Sequence, residues 1–222
     1  MMHCMQPLKD EHFVSWDQSP EQMDGLWAEG WRHFGAIFYR YRQCITPAGL
    51  RNVQPLRVDA ERFEPTASQR RVLRRNDDIE IRVRTAELLE DRQRLFDLHK
   101  QRFADNVPNS LEDFLGPSPQ AGPCQTLELG AFIGERLLAA SYVDVGATGI
   151  SSIYAFFDPE ESRRSLGTAT MIWEILLARR TARRWHYPGY AYREPSGYDY
   201  KKHFGPMEYY DWEKWQALPD AG

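Results

Sequence analysis

Residues 150–184 read ISSIYAFFDPEESRRSLGTATMIWEILLARRTARR, and we expect the fold to be organised around this stretch. Its first part is apolar and aromatic, which predicts a buried strand over residues 150–157. The strand should end at Asp158-Pro159, because proline has no N–H group to donate to a sheet. Over residues 166–176, apolar side chains recur at three- and four-residue spacing, which predicts a helix. The stretch therefore predicts a strand, a charged turn and a helix.

The turn carries two cations and a hydroxyl, Arg163, Arg164 and Ser165, and Gly167 and Thr168 follow them at the start of the helix. The first turn of a helix presents free backbone N–H groups and the positive end of the helix dipole. Together these groups favour the binding of an anion, above all phosphate. An ordinary strand–turn–helix unit with solvated arginines is the alternative interpretation.

Composition bounds the class of protein. The chain has 222 residues, of which 42% are hydrophobic, enough for one large domain or two small ones. A net charge of −4 argues against indiscriminate binding of nucleic acids. Arginines are nevertheless concentrated in residues 62–102 and 163–184, and such local patches favour a specific polyanionic partner. Solvation of helix faces by these arginines is the alternative.

No membrane segment or secretory signal is expected. Residues 9–11 are charged, and no apolar run approaches the roughly 18 residues that a transmembrane helix needs. The cysteines are three in number and far apart: Cys4, Cys44 and Cys124. They form neither a disulfide framework nor a CxxC motif, so we expect a reduced, cytoplasmic protein.

The N-terminal part predicts a helix and two strands. The sequence SPEQ at residues 19–22 is typical of a helix start, with Ser19 as cap, Pro20 at the first position and Gln22 completing a capping box. The other predictions are an irregular segment over 1–17, a strand over 36–41, a loop over 46–52 and a strand over 53–58 that Pro55 interrupts.

Four arginines stand close together in residues 68–76, SQRRVLRRN. In a helix that begins after a Ser68 cap, Arg70 and Arg74 share one face, and Arg71 and Arg75 share the neighbouring face. Because like charges on adjoining faces repel, the cluster favours a negatively charged partner.

The second half of the chain reads mainly as strands. The predictions in order are an edge strand over 79–83, a helix over 87–105, a helical turn over 111–115, strands over 127–133, 137–145 and 150–157, the helix from 166, a strand over 185–192, a short helix over 198–204 and a strand over 207–212. Three consecutive strands with short turns make an antiparallel meander. The sequence therefore predicts an α+β core of the acyltransferase type.

An antiparallel meander followed by Arg-Arg-x-x-Gly at a helix start resembles the GNAT acyltransferase fold, whose corresponding loop binds a pyrophosphate. Further blocks narrow the match: SQRRVLRRN at 68–76, FFDP at 156–159 with RSLGT at 164–168, Tyr190, Tyr200-Lys201, and FGPME at 204–208. In this order they are similar to the arginyl-tRNA–protein transferase family, whose bacterial branch transfers leucine to N-terminal Asp or Glu. The resemblance covers about residues 19–213.

The resemblance implies a GNAT-like acyltransferase core, an antiparallel-rich mixed sheet flanked by helices, together with a small N-terminal α/β region. It divides the chain into an N-terminal region over residues 1–67, with a degenerate cysteine site, and a GNAT-like aminoacyltransferase domain over residues 68–222.

The function that the resemblance implies is transfer of arginine or leucine from an aminoacyl-tRNA to the α-amine of a protein or peptide that begins with Asp or Glu, as in the N-degron pathway. Leucine is slightly favoured, since the chain is short like the bacterial branch. Aminolysis of an activated ester needs positioning and oxyanion stabilisation and no strong nucleophile. This agrees with a sequence that has no nucleophile elbow.

The resemblance assigns candidate site residues to three groups. The predicted tRNA-binding residues are Arg70, Arg71, Arg74, Arg75, Arg163, Arg164, Ser165, Gly167 and Thr168, because guanidinium groups and a helix start suit phosphates. The predicted acceptor-binding residues are Lys201, Arg193 and Tyr154, and the predicted catalytic residues are Tyr190 and Asp158. Aromatic packing explains most of the tyrosines equally well, and a turn-forming role explains Asp158.

The chain departs from the family pattern at its cysteines. Members typically carry a Cys-Pro-Tyr-type motif and a nearby CxxC, which implies a metal or iron–sulfur site, whereas Cys44 here has lost its paired thiolate. We therefore expect no metal and no cofactor. As partners we expect neither DNA nor a membrane. An acetyl-CoA-dependent GNAT acetyltransferase and a non-catalytic RNA- or peptide-binding derivative are the alternative functions.

Overall fold

The computed structural model of the protein describes residues 6–8, 11–103 and 107–218. Its strands are β1 (Gln6–Leu8), β2 (Glu11–Val14), β3 (Arg32–Phe34), β4 (Ile37–Arg40), β5 (Gln43–Thr46), β6 (Gly49–Asp59), β7 (Glu80–Thr85), β8 (Thr126–Ile133), β9 (Arg136–Val145), β10 (Gly149–Phe157), β11 (Trp185–Tyr192), β12 (Met207–Tyr210) and β13 (Trp215–Ala217). Its helices are α1 (Pro20–Ala28), α2 (Ala67–Arg75), α3 (Glu90–Lys100), α4 (Glu112–Leu115) and α5 (Leu166–Arg180), with 3₁₀ helices at Pro119–Ala121, Pro159–Arg164 and Asp199–His203.

Ten of the described strands form the main sheet, in the order β1-β5-β6-β11-β10-β9-β8-β7, with β12 paired to β6 and β13 to β12. Strands β2, β4 and β3 make a second, small sheet. Between described strands, β10 and β11 are the one parallel pair, and the other pairs are antiparallel. The α+β class and the antiparallel-rich mixed sheet are confirmed.

Helices cover both faces of the main sheet. Successive residues of a strand point to opposite faces, and in β9 Val143 packs with the core that contains Ile172 and Ile175 of α5. Its neighbour Tyr142 packs with Phe96 of α3 on the other side. Helix α5 thus lies on one face of the strands that carry the predicted turn, and α3 lies on the opposite face.

Two helix starts show the capping chemistry. At α1 the prediction is confirmed, since the Ser19 hydroxyl accepts from Gln22 N and the Gln22 side chain accepts from Ser19 N. At α2 the cap is Thr66, and the prediction of Ser68 is wrong. Thr66 forms the reciprocal capping box with Gln69, and this places Ser68 inside the first turn.

The strand predictions hold for the second half of the chain, but the first half differs. The predicted loop over 46–52 is wrong, because β5 and β6 form a hairpin in which Thr46 pairs with Gly49. Gly49 has φ +99°, a conformation that glycine adopts without strain. Pro55 does not interrupt β6, because it lies between the residues that pair with β5 and those that pair with β12. In the predicted irregular segment over 1–17, residues Glu11–Val14 form β2.

Helix α3 is shorter than the predicted range of 87–105, part of which lies outside the described residues. Leu98 fits the apolar spacing of the predicted helix, but it is 47% exposed. The buried side of α3 includes Arg92, whose guanidinium donates to the fully buried Glu128 at 2.9 Å. A buried arginine on the core side explains why apolar spacing alone misplaced the helix face.

Candidate active site

Strands β10 and β11 separate after a short parallel contact. They pair through Gly149 with Trp185, Ile150 with His186 and Ser151 with Tyr187, and both strands then continue without pairing to each other. Each shifts register against its other neighbour at this level, β10 between Ser152 and Tyr154 and β11 between His186 and Gly189. An extra residue bends a strand and increases its twist. The two bulges therefore open a gap between the strand ends.

Two adjoining cavities lie at this gap. The larger cavity, of about 820 Å³, is bordered by the turn and first residues of α5, by residues 46–48 of the β5–β6 hairpin and by residues 195–198. The smaller cavity, of about 390 Å³, is bordered by Arg32, Glu174 and Lys201 together with several tyrosines. Tyr154, Ala155, Gly167, Tyr198 and Tyr200 line both. Groups bound in the two cavities can therefore meet at these shared residues.

The start of α5 borders the larger cavity. Ser165 has left-handed backbone angles (φ 55°, ψ 46°), and no side chain caps the helix. Ser165, Gly167 and Thr168 line the cavity, and the cations Arg51 and Arg102 line it as well. An uncapped helix start beside positive side chains can bind an anion.

Helix α2 lies against the turn before α5. Arg75 donates to the backbone oxygen of Arg163 and, at 3.3 Å, to the hydroxyl of Ser165. Arg164 is held by both carboxylate oxygens of Asp78 at 2.8 and 3.0 Å. The side chains of Arg70, Arg71, Arg74, Arg75 and Arg163 are exposed. The structure thus brings the two predicted groups of tRNA-binding residues side by side, and their role stays a prediction.

A buried polar cluster lies beneath the smaller cavity. The Glu174 carboxylate is 3% exposed, accepts from the Ser152 hydroxyl and lies 2.9 Å from His186 Nε2. His186 Nδ1 is buried and has no hydrogen-bond partner among the described residues. Ser152 and Glu174 line the cavity, so this cluster places one acidic group at its wall.

Two cations face the same cavity. Arg32 donates to the Ser151 hydroxyl and to the Ser152 backbone oxygen of β10. Lys201 Nζ donates to the Pro188 oxygen at 2.9 Å and to the Tyr190 oxygen at 3.4 Å. These three carbonyl oxygens belong to the separated strand ends, so the two side chains bind backbone groups that the missing pairing leaves without a partner strand.

The pKa of Lys201 is lowered to about 8. Burial is the main cause, and the Arg32 charge lowers the pKa further, whereas the Glu174 charge acts in the opposite direction. The charged and titratable groups that line the cavity with it are Arg32, Glu174, Tyr39, Tyr41, Tyr154, Tyr190, Tyr198 and Tyr200. Burial raises the pKa of Tyr39 and of Tyr154 to about 12, so both hydroxyls are protonated near neutral pH.

The remaining predicted residues lie in different settings. The Tyr154 hydroxyl is buried without a hydrogen-bond partner among the described residues, and the side chain lines both cavities. Tyr190 lines the smaller cavity, and its hydroxyl donates to the Gly30 oxygen at 2.6 Å. Arg193 is exposed and lines neither cavity. Asp158 also lines neither, and its carboxylate accepts from Arg136 at 2.7 Å. The catalytic and acceptor-binding roles stay predictions.

The two described cysteines, Cys44 and Cys124, lie in different surroundings. Cys44 is buried with its Sγ 3.3 Å from the Tyr192 hydroxyl, and it belongs to no group of three ligand-type side chains in the part of the chain that is described. Cys4 lies outside the described residues.

His33, Cys124 and Asp144 bring their ligand-type atoms within 4.8 Å of one another. His33 Nε2 lies 2.7 Å from one Asp144 oxygen, and the Thr126 hydroxyl donates to the other oxygen at 2.7 Å. Burial, with the Asp144 charge, raises the pKa of the Cys124 thiol. This group is an internal hydrogen-bond network.

Sequence reasoning missed Arg32, Glu174 and Ser152. Arg32 is the first residue of the three-residue strand β3, so no local pattern connects it to Ser151, 119 positions away. Glu174 lies among the buried apolar residues of α5. An acidic residue on the buried side of a helix is the sequence signal that could have identified it. His186 belongs to the same cluster because its Nε2 lies 2.9 Å from the Glu174 carboxylate.

None of the helices within the described residues combines the length and the apolar character needed to cross a membrane.

Comparison with known proteins identifies the family. A model of the arginine-tRNA-protein transferase C terminus matches residues 86–211, and a model of the N terminus of the same family matches residues 3–71. The aspartate/glutamate leucyltransferase of Stenotrophomonas maltophilia (strain R551-3) is 33% identical over 202 residues, 86% of this chain and 78% of the relative. The protein of the same name from Chromohalobacter salexigens is 34% identical over 211 residues, 92% of this chain and 83% of the relative.

A solved structure supports the fold. The crystal structure of FemX matches 79% of this chain and 61% of its own length with a TM-score of 0.50 at 9% identity. The GNAT-like core expected from the sequence is confirmed. Together, the two family models and the relatives cover most of the sequence, and the chain belongs to the arginine-tRNA-protein transferase family of aminoacyltransferases.

Proposed function

We propose that the protein transfers leucine from leucyl-tRNA to the α-amine of proteins or peptides that begin with Asp or Glu. The observation that carries this proposal is the pair of adjoining cavities at the separated ends of β10 and β11. The larger is bordered by a helix start and arginines, which suit a polyanionic donor, and the smaller by Arg32, Lys201 and Glu174, which suit a charged acceptor. The names of the relatives support leucine as donor and Asp or Glu as acceptor.

The donor lies along α2 and the start of α5. The exposed side chains of Arg70, Arg71 and Arg74 bind phosphates of the acceptor stem, since guanidinium groups pair bidentately with phosphate. The turn at 163–168 binds the phosphate next to the terminal adenosine, which occupies the larger cavity. This arrangement directs the aminoacyl ester toward the residues that both cavities share.

The acceptor enters from the smaller cavity, with Lys201 and Tyr154 at its wall and Arg193 nearer the surface. Its neutral amine attacks the ester carbonyl, and the ribose hydroxyl of the tRNA leaves. An α-amine has a pKa of about 7.7–8.0, so it is partly neutral at cellular pH. Catalysis then rests on orientation and on donors to the oxyanion, and the protonated hydroxyl of Tyr154, one of the shared residues, is such a donor.

Because charged tRNAs are the donors, we place the activity in the cytoplasm, where an added leucine marks proteins in the N-degron pathway. Arginine as donor is the second possibility within the same reaction class.

The test is a transfer assay with the purified protein. Leucyl-, arginyl- and phenylalanyl-tRNA, each radiolabelled in the amino acid, are incubated separately with peptides that differ only in starting with Asp, Glu, Asn, Ala or Lys. We expect label from leucyl-tRNA in the Asp and Glu peptides. Equal labelling of all peptides would contradict the acceptor specificity, and labelling from arginyl-tRNA alone would contradict the donor.

A parallel assay with labelled acetyl-CoA addresses the ordinary acetyltransferase. We expect no acetylation of any peptide and no shift of the melting temperature with acetyl-CoA. Acetylation without transfer from any charged tRNA would overturn the proposed function.

A further inference from the structure

Arg32 and Lys201 form a pair of neighbouring cations at the wall of the smaller cavity. Neither side chain makes an ion pair with a carboxylate among the described residues, although both line the smaller cavity. A Cβ atom on Gly189 would stand 3.6 Å from Lys201 Nζ and 3.8 Å from Arg32 Nη2. Like charges so close in a partly buried site repel, and an anion between them would relieve that repulsion.

Both side chains keep donors for a ligand. A guanidinium group has five N–H donors, and Arg32 uses Nη1 on the Ser151 hydroxyl and Nη2 on the Ser152 oxygen. An ammonium group has three N–H donors, and Lys201 uses two of them on the Pro188 and Tyr190 oxygens. The backbone contacts therefore fix the two cations in place and leave N–H groups for a carboxylate.

Gly189 clears the space in front of these cations. Its φ of +91° is unfavourable for any residue with a side chain. A side chain here would also occupy the volume next to both charged groups. The glycine thus keeps the anion position open.

Glu174 supplies the opposite charge at the same cavity. Its carboxylate is held by the Ser152 hydroxyl and by His186, and it is almost completely buried. The wall thus offers two positive groups and one negative group. The N-terminal residue of an acidic acceptor offers the complement, a side-chain carboxylate and an α-ammonium group.

We propose that the smaller cavity binds the first residue of the acceptor, with Arg32 and Lys201 as specificity-determining residues for its side-chain carboxylate and Glu174 as the group that receives its α-ammonium. This inference rests on the proposed function and names the residues that read the acceptor. It adds Arg32 and Glu174, which the sequence did not single out.

The chemical step balances within this arrangement. The α-ammonium loses one proton to the Glu174 carboxylate, and the neutral amine forms a C–N bond with the ester carbonyl carbon. The C–O bond to the tRNA ribose then breaks as the new nitrogen loses its second proton to the departing ribose oxygen. Products are the extended peptide, the tRNA hydroxyl and the proton on Glu174, which passes to solvent.

Acceptor kinetics test the carboxylate site. Values of kcat/KM are measured for peptides that start with Asp, Asn, Glu and Gln, using the wild type, Arg32→Gln, Arg32→Lys and Lys201→Met. We expect the Asp-to-Asn ratio to fall about ten- to a hundredfold in Arg32→Gln and in Lys201→Met, because a charge-assisted hydrogen bond is lost. The loss should appear mainly in KM, and Arg32→Lys should keep part of the ratio.

Arg180→Gln is the matched control, since Arg180 is an exposed cation at the far end of α5 and lines neither cavity. It should leave the ratio unchanged. Melting temperature and tRNA affinity of each variant report that the fold and the donor side are intact.

Glu174→Gln tests the amine site. It should lower kcat/KM for the Asp and Asn peptides alike, by about a hundredfold, without changing their ratio, because proton acceptance is lost and carboxylate binding is not. Unchanged rates in this variant would overturn the role of Glu174.

The outcomes separate the two levels of the proposal. A wild-type preference for Asp that persists in both Arg32→Gln and Lys201→Met would overturn the carboxylate site while transfer itself stands. Absence of transfer from any charged tRNA by the wild type would instead overturn the proposed function.

Discussion

The exposed arginines of α2 give a quantitative prediction for tRNA binding. Arg71 and Arg74 are exposed, and the described part of the chain offers them no hydrogen bond or ion pair. Replacing both with Gln should change the fold little, because Gln and Arg have similar helix propensities. Loss of Arg74 from the last turn of the helix removes a favourable dipole interaction of about 0.3–1 kcal/mol. Arg75 is left in place, since it holds the turn before α5.

The magnitude follows from counterion release. Each phosphate contact contributes about 0.9 to the slope of log affinity against log salt concentration on duplex nucleic acid. If both side chains contact the acceptor stem, the double variant should bind tRNA more weakly at low salt, with a slope shallower by about 1.8.

Filter binding of leucyl-tRNA over about 50 to 200 mM salt measures this slope. The double variant Arg42→Gln/Arg180→Gln is the matched control, since it removes the same charge from exposed positions outside α2. Equal slopes for the wild type and for Arg71→Gln/Arg74→Gln would refute the assignment of α2 to the tRNA, whatever the change in affinity.

Three further predictions follow from the site and the core. Because Lys201 has a pKa of about 8 and loses its charge above it, the Asp-to-Asn ratio of kcat/KM should fall as pH rises from 7 to about 9; a flat ratio would contradict this. Arg92→Met should lower the free energy of unfolding in urea by about 3 kcal/mol, because Glu128 is left buried with one cation fewer, and adding Glu128→Gln should restore part of it. Anaerobically purified protein should contain no stoichiometric zinc or iron, and Cys44→Ser should keep full transfer activity. One equivalent of metal in the wild type that is lost in Cys44→Ser would contradict this prediction.

The sequence was sufficient to predict those elements whose structure depends on a local pattern of residues. The aromatic strand, its end before Pro159 and the helix from Leu166 follow from periodicity and from the chemistry of proline, and the structure confirms them. The same pattern places Ser165 to Thr168 at the helix start, and the structure adds that these residues line the larger cavity.

Long-range contacts set the rest of the site. Arg32 reaches β10 across more than a hundred positions, and no propensity encodes that contact. The segment over 46–52 reads as a loop because it contains proline, glycine and polar residues. It becomes strand because the rest of β6 is fixed by β11. The hairpin wall of the larger cavity was missed for this reason.

The contacts of Arg32 and Lys201 with the carbonyl oxygens of the separated strands constrain how this enzyme can change during evolution. The two side chains to which we assign acceptor binding also donate hydrogen bonds to backbone oxygens of the separated strands. Without them these oxygens would lie at an unpaired sheet edge. A mutation that abandons the acidic acceptor by removing either cation would also leave those carbonyl oxygens without a donor. A change of acceptor specificity during evolution must therefore also supply new donors for these carbonyl oxygens. We expect that a single substitution rarely achieves both.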